Sequence, residues 1–249
     1  MNVQELVSAF NTVKHRIGHA RWRTVYNNLI VPHATYTNTV IEGSKVNYEE
    51  TKHILDGGRL EIERTIDAQE VRNYKRALVL AADFLGPVSE SFVKRLHAIV
   101  VKDAYQEEES CGEKPGHYRI NYVSVGGQTV PTRPQDLSRI MEGFITTLNT
   151  DYHDLGLDSF YGACMHHIQF EAIHPFSNGN GRVGRLIFTA EVRKIGLPPL
   201  VLSLDNIVKY YRSFRPYPNG NTDMLFAYFI LCYEQLLHKV ENSEEYMEE

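Results

Sequence analysis

Three features are scarce in the 249-residue sequence, and each shortage excludes a class of protein. Cysteine occurs only three times, and none of the three forms a CxxC or CxxH pair that would indicate structural zinc. An odd number of cysteines without regular spacing is typical of a reducing compartment. No apolar run is long enough to span a membrane, and the N-terminal residues lack the apolar core of a secretory signal. We therefore expect a cytoplasmic protein with no membrane partner.

Runs of basic residues are also absent. Lysine and arginine together number 26 against 31 aspartates and glutamates, which gives a formal net charge of −5. A broad surface for nucleic acid needs an excess of positive charge, so no nucleic-acid partner is expected. Arginines in a glycine-rich motif of this chain are therefore best interpreted as part of a small-anion site.

Helical periodicity dominates the rest of the chain. Apolar residues recur at helical spacing over residues 3–13, and Asn47 followed by Glu50 is a capping pair that begins another helix. Further helices are predicted over residues 69–85, 89–101, 135–148, 159–173, 180–195 and 224–240. Residues 116–134 instead carry β-branched and aromatic residues around a Gly-Gly pair, which predicts one hairpin. The expected fold class is an all-α bundle with one small β-hairpin.

The most informative segment is residues 174–185, with the sequence HPFSNGNGRVGR. Its glycines permit positive-φ conformations that turn backbone N–H groups inward, and a helix beginning at Asn180 adds unpaired N–H groups that attract phosphate. Arg182 and Arg185 share one face of that helix, and arginine presents a planar fork to phosphate oxygens. His174 ends the preceding helix, where it can accept a proton from an attacking hydroxyl. The segment predicts a triphosphate site with a general base.

This segment resembles the signature of the Fic family, whose members transfer AMP from ATP to protein hydroxyls. The chain around residues 116–136 is similar to the family's flap, which covers the nucleotide and docks the target. Residues 39–52 are similar to the inhibitory helix that some members carry before the core. The resemblance implies one Fic-type unit over residues 1–249, with N-terminal helices over 1–85 that include the inhibitory helix near 35–43, a core over 86–200 with a flap at 116–131, and C-terminal helices over 201–249.

The resemblance also implies a role for each motif residue. His174 would be the general base, and a target Ser, Thr or Tyr hydroxyl would attack the α-phosphorus of ATP while pyrophosphate leaves. The α-phosphate would be held by Gly179, Asn180 and Gly181, the β-phosphate by Arg182 and the γ-phosphate by Arg185. Further nucleotide contacts would come from Asn178, Gly184, Val123, Ser124, Val125, Tyr210, Tyr211 and Asn219. The two tyrosines have a second interpretation, as a packed aromatic pair before a Pro-Asn-Gly turn. The partner would be a protein substrate, the protein itself being one acceptor, and the resemblance allows a homodimer.

Glu42 would be the regulatory residue. On the resemblance, its carboxylate would pair with Arg185 and occupy the room of the γ-phosphate, so that ATP would bind in a pose unfit for attack. A charge-assisted pair of this kind contributes about 1.5–3 kcal/mol. The position four residues earlier is usually Ser or Thr in this family and is Asn38 here, whose amide can make a similar hydrogen bond. The alternative interpretation of Glu42 is a solvated helix residue.

Asn178 is the main departure from the family pattern, which has Asp or Glu there to bind Mg²⁺. An asparagine offers one neutral oxygen, whereas Mg²⁺ prefers anionic ones, so Mg²⁺ or Mn²⁺ is expected to bind weakly and chiefly through the ATP phosphates. Three functions stay open: an adenylyltransferase of low activity inhibited by Glu42, a hydrolase that removes AMP at the same site, and a nucleotide-binding regulatory module. A nucleotide donor other than ATP is a further alternative.

Overall fold

The structure is a computed structural model that describes residues 1–60, 64–104, 114–149 and 159–243. Its helices are α1 (Val3–Val25), α2 (Val31–Val40), α3 (Tyr48–Leu55), α4 (Thr65–Ala82), α5 (Glu90–Val100), α6 (Leu137–Leu148), α7 (Ser159–Ile173), α8 (Asn180–Lys194), α9 (Ile207–Ser213) and α10 (Thr222–Glu241). One antiparallel hairpin joins β1 (Ser124–Val125) to β2 (Gln128–Thr129). The expected all-α fold class is confirmed.

Two absences concern the described residues only. None of the helices in them is both long and apolar enough to cross a membrane. Cys164 and Cys232 are buried and carry no disulfide, while Cys111 lies outside the described residues.

Local capping sets where the N-terminal helices begin. Asn47 and Glu50 form the capping box predicted for α3, in which each side chain bonds the other residue's backbone N–H. Asn2 and Glu5 form the same arrangement at the start of α1. Helix α2 ends at Val40, so Glu42 lies in the turn after the helix, whereas the sequence placed it within a helix near residues 35–43.

Helices α7 and α8 form the centre of the bundle. They pack against each other, α4 and α5 cover α8, and α6 and α10 cover α7. Buried residues of both helices contribute to two large apolar clusters, one shared with α1 and α10 and the other with α4, α5 and α6. The loop that joins α7 to α8 carries the motif, so the packing of the two helices fixes its position.

The hairpin is shorter than the predicted one over residues 116–134. Its register pairs Ser124 with Thr129 and Val125 with Gln128, and the backbone N–H of Val130 adds a bond to the carbonyl of Val123. The chain before it is irregular because it packs on the motif instead of pairing as a strand: the Tyr118 ring lies 5.6 Å from that of Phe176.

Candidate active site

A cavity of about 830 Å³ lies at the N-terminal end of α8. The loop before α8 forms one wall, the hairpin contributes a second, and residues 210–217 contribute a third. Glu42, Glu171, His174 and Arg185 also line it. A space of this size is typical of sites for small molecules and cofactors.

The loop is shaped as an anion cradle. Gly179 adopts φ 76° and is the N-cap of α8, and the first helical bond runs from the Val183 N–H to the Gly179 carbonyl, at 3.0 Å. The N–H groups of residues 180–182 therefore have no partner within the helix, and such groups attract anions. A Cβ at Gly179 would lie 3.2 Å from Val101 Cγ1, so a larger residue would crowd the wall.

Asn180 and Phe176 hold the loop closed. The Asn180 side chain accepts a bond from the Phe176 N–H at 2.9 Å and donates one to the Phe176 carbonyl at 2.7 Å. Phe176 is fully buried, and its ring stacks on His97 with centroids 3.7 Å apart. The side chain of Asn180 therefore braces the loop, which leaves its backbone N–H for an anion.

His174 directly follows α7 and adopts an unusual backbone conformation. Its φ is 50°, in the left-handed region, which costs a non-glycine residue about 1–2 kcal/mol. Arg119 holds the strained segment: Nε donates to the His174 carbonyl at 2.8 Å, and the Arg119 N–H donates to the Pro175 carbonyl at 2.9 Å. Nη2 of Arg119 also donates to the carbonyl of Thr132 at 2.6 Å. One buried arginine thus connects the segments on both sides of the hairpin to the histidine.

The His174 ring is neutral near pH 7. Burial lowers its pKa to about 4, and the charge of Arg119 adds to that effect. Its Nδ1 lies 3.3 Å from the carbonyl oxygen of Glu171, which favours the tautomer with the proton on Nδ1. Nε2 is then a free base beside the cavity, able to take a proton from a hydroxyl.

Arg185 is buried and its donors are engaged within the protein. Nη2 donates to Glu42 Oε1 at 2.6 Å, Nε donates to Asn38 Oδ1 at 2.6 Å, and Nη1 donates to the Tyr210 hydroxyl at 2.9 Å. Desolvation opposes the ionisation of Glu42, but the charges of Arg185 and Arg182 outweigh it and hold the pKa of the carboxyl below its usual value. A Cβ at Gly181 would lie 2.5 Å from Glu42 Oε1, so this carboxylate sits directly over the start of α8.

Arg182 is not among the residues that line the cavity. It is 4% exposed, and its Nη1 donates to Glu70 Oε1 of α4 at 2.7 Å. Its Nη2 donates to Asn178 Oδ1 at 3.1 Å. The residue therefore ties the loop to α4, and a role with a β-phosphate would require this pair to open.

The residues of this site do not fit a protein-held metal ion. Asn178 Oδ1 accepts hydrogen bonds from Arg182 and, at 2.6 Å, from the Gly179 N–H. The one side-chain oxygen that Asn178 could offer to a metal ion is therefore already engaged with two donors. No group of three or more His, Cys, Asp or Glu side chains in the described part of the chain is arranged to hold a metal.

The other predicted nucleotide contacts divide into two groups. Val125, Tyr210 and Tyr211 line the cavity, and the Tyr211 hydroxyl donates to the Ile41 carbonyl at 3.0 Å. The residues outside its lining are Val123, Ser124, Asn219 and Gly184. Gly184 faces α7, where a Cβ would lie 2.7 Å from His167 Nδ1.

Sequence reasoning missed several residues that line the cavity, namely Glu171, Gln128, Phe214, Arg215 and Tyr217. Glu171 could have been found, because it stands three residues before His174 in a predicted helix, a spacing that puts two side chains on one face. The residues after α9 gave no such signal, because a seven-residue helix carries too little periodicity to be recognised.

Comparison with known sequences identifies a family profile and curated relatives that this chain resembles. Residues 87–191 match the Fic/DOC family profile. Over 208 residues, 81% of this chain, the sequence is 28% identical to the protein adenylyltransferase Fic of Drosophila willistoni. Over 207 residues, again 81%, it is 28% identical to the protein of that name from Aedes aegypti. The chain spans about 40% of the length of these curated relatives.

Solved structures share the fold. A Fic-domain-containing signaling protein from Bacteroides thetaiotaomicron aligns with 100% of this chain and 99% of its own, at a TM-score of 0.81 and 20% identity. Fic-1 from C. elegans aligns with 97% of this chain and 72% of its own, at a TM-score of 0.78 and 19% identity. The chain therefore contains a domain at residues 87–191 that matches the Fic/DOC family, and it shares its fold with these solved Fic-domain structures.

Proposed function

We propose that this protein is an adenylyltransferase that transfers AMP from ATP to a hydroxyl of a protein, and that Glu42 restrains it. The observation that carries the proposal is the placement of a neutral histidine beside a phosphate cradle in one cavity. The relatives named protein adenylyltransferase Fic support the reaction class. The target would be a protein with a Ser, Thr or Tyr hydroxyl, and this chain itself is the first acceptor to test.

The reaction uses positioning and charge, as phosphoryl-type transfer does. The target hydroxyl gives its proton to His174 Nε2 while its oxygen forms a bond to the α-phosphorus. The bond between the α-phosphorus and the β-phosphate oxygen breaks, and pyrophosphate leaves. The backbone N–H groups at the start of α8 stabilise the negative charge that builds on the α-phosphate oxygens.

Restraint by Glu42 follows from its pairing with Arg185. Arg185 donates a charge-assisted bond to Glu42, two bonds to Asn38 and one to Tyr210, so each of its three nitrogens is already engaged within the protein. A triphosphate must displace Glu42 to reach Arg185, or bind with its phosphates shifted away from His174.

The test is to incubate the Glu42→Gly variant with ATP labelled at either the α- or the γ-phosphate. Transfer of AMP predicts label on protein from α-labelled ATP only, with release of pyrophosphate. Label from γ-labelled ATP would mean phosphorylation and would contradict the proposal. Absence of label from both, with ATP binding intact by calorimetry, would instead favour a regulatory nucleotide-binding module.

A second candidate function is removal of AMP at the same site. Its support is the position of the Glu42 carboxylate over Gly181, where it could orient a water molecule toward an α-phosphorus. Pre-modified protein incubated with wild type should then lose AMP, and the Glu42→Gln variant should not. Equal retention of label in both would exclude this function.

Asn178→Asp is expected to make ATP binding more dependent on Mg²⁺. The substitution supplies an anionic oxygen at the loop, which Mg²⁺ prefers to an amide. The Mg²⁺ concentration for half-maximal ATP binding should fall about tenfold. Calorimetric titrations at several Mg²⁺ concentrations measure this, with Asn178→Ala as the control that removes the amide and adds no charge. An unchanged Mg²⁺ dependence in Asn178→Asp would show that this position does not reach the ion.

Arg119→Met is expected to reduce transfer at least about tenfold, because the bonds that hold the His174 carbonyl and the hairpin arm are lost. Methionine keeps the length of the chain and removes the donors. The free energy of unfolding should also fall by about 2–4 kcal/mol. Initial rates and denaturant unfolding measure both effects, with the exposed Arg139→Met as the matched control. Equal rates in the two variants would show that Arg119 does not position the histidine.

A further inference from the structure

A second carboxyl group lines the cavity and takes no part in the reaction as described above. Glu171 lies in the last turn of α7, three residues before His174. Its side chain is 16% exposed, and its Oε1 has no hydrogen-bond partner among the residues that the structure describes. Leaving a buried polar atom unpaired costs free energy, so such an atom calls for a functional explanation.

Helix α8, which faces Glu171, leaves room for this carboxyl at Gly184. A Cβ on Gly184 of α8 would lie 2.9 Å from Glu171 Oε1 and 2.7 Å from His167 Nδ1, closer than real side chains approach. The absence of a side chain at Gly184 therefore keeps open a small polar space between α7 and α8. That space lies one helical turn from the histidine.

Two oxygens of Glu171 lie near the same ring nitrogen. His174 Nδ1 is 3.3 Å from the Glu171 carbonyl oxygen and 4.0 Å from Glu171 Oε2. A negative charge at the carboxyl would favour a protonated ring, because opposite charges at this distance attract strongly away from bulk water.

We propose that Glu171 acts through His174 in the same reaction, as a positioning residue whose carboxylate stabilises the imidazolium that forms when the target hydroxyl gives up its proton. This inference rests on the proposed function. The hydroxyl O–H bond breaks and its proton moves to His174 Nε2, the hydroxyl oxygen bonds to the α-phosphorus, and pyrophosphate leaves with the electron pair of the broken bond. Glu171 forms no covalent bond, and the proton on the ring passes to solvent after pyrophosphate has left.

Ionisation of Glu171 is controlled by its surroundings. Burial raises its pKa to about 8, Arg185 opposes the rise, and Glu42 adds to it. The titratable or charged groups that face it are His167 on α7, His174 directly after α7, Arg185 on α8, Glu42 after α2, Tyr210 on α9 and Tyr217 beyond it. Below about pH 8 the carboxyl is neutral, and above it the carboxyl is negative, so its support of the imidazolium grows as pH rises.

The first experiment follows the ¹³C shifts of the His174 ring by NMR in the wild-type protein between pH 5 and about 9.5. A titration step near pH 8, absent in Glu171→Gln, is expected because the ring senses the neighbouring carboxyl. Glutamine has the shape of the protonated glutamate, so the variant is expected to fold, which a thermal melt verifies. The same step in both proteins would assign it to another group and overturn the coupling. This readout does not need AMP transfer, so it remains decisive if the proposed function fails.

The second experiment measures transfer from α-labelled ATP in the Glu42→Gly parent, with and without Glu171→Gln. The parent rate should rise on the order of tenfold with pH, at a midpoint below about 8, because removal of Glu42 lowers the pKa of Glu171. Glu171→Gln should remove this rise through kcat and leave KM for ATP unchanged, and the exposed Glu142→Gln should change neither. A uniform loss of rate with the same pH profile would make Glu171 merely structural and overturn the inference. No label in the parent would reject the proposed function instead.

Discussion

Replacing His174 with alanine is expected to reduce AMP transfer by a factor on the order of 10²–10⁴, the usual contribution of a general base. The ring is neutral near pH 7 because burial lowers its pKa to about 4, and its Nε2 has no described hydrogen bond to give up. Without it, the attacking hydroxyl must lose its proton to water. Label from α-labelled ATP in the Glu42→Gly background measures the loss.

Backbone strain at His174 requires a matched variant. Because its φ is 50°, alanine adds strain of its own, whereas asparagine tolerates the left-handed region and cannot act as a base. His174→Asn should therefore lose activity as fully as His174→Ala while keeping the melting temperature of the parent. His117→Ala, an exposed histidine on the arm before the hairpin, should keep full activity. Substantial activity in His174→Asn would remove the histidine from the mechanism.

The burial of His174 also predicts where the rate falls at acid pH: the midpoint of this fall should lie far below the ordinary pKa of histidine. A histidine whose pKa is lowered stays unprotonated, and so competent as a base, until the pH falls toward about 4. In the Glu42→Gly/Glu171→Gln double variant, which lacks the neighbouring titrating carboxyl, kcat/KM should therefore show no midpoint near pH 6.5. A midpoint at that pH would mean that the ring is solvated in the working enzyme.

Features that depend on nearby residues were predictable from sequence. The capping box of Asn47 and Glu50 and the bounds of α7 follow from spacing within a few positions. Gly179 adopts the positive φ that the sequence predicts, because this freedom is a property of the residue itself. Gly181 instead lies within α8, and the space of its missing side chain is taken by Glu42.

Features that depend on distant packing were not predictable. Arg182 shares a helix face with Arg185 in the sequence, yet only Arg185 lines the cavity, and Arg182 pairs with Glu70, 112 residues away. The hairpin is shorter than predicted because Tyr118 and Arg119 contact the motif segment instead of pairing in a strand. The pattern of residues in a strand gives no information on such distant contacts. Residues 214–217 reach the cavity only through the path that the chain takes after α9.

Replacing Glu42 with glycine is expected to raise AMP transfer about 10- to 100-fold, which is the factor that corresponds to losing a charge-assisted pair of about 1.5–3 kcal/mol. The bond at stake is the 2.6 Å contact between Glu42 Oε1 and Arg185 Nη2. Its loss frees a buried guanidinium for the γ-phosphate and clears the space above Gly181. The measurement is the initial rate of labelling at saturating ATP.

Three further variants test how this restraint depends on the charge of Glu42, on its position and on Arg185. Glu42→Gln keeps the side chain and removes the charge, so it should release the γ-phosphate position only in part, with a rate between those of wild type and Glu42→Gly. Glu49→Gln, an exposed glutamate at the start of α3, should behave as wild type. Arg185→Lys should be slow even in the Glu42→Gly background, because a lysine cannot keep the bonds to Asn38 and Tyr210 while contacting phosphate. If Glu42→Gly labelled no faster than wild type while ATP binding tightened, the pair would govern affinity alone, and restraint of catalysis by Glu42 would be refuted.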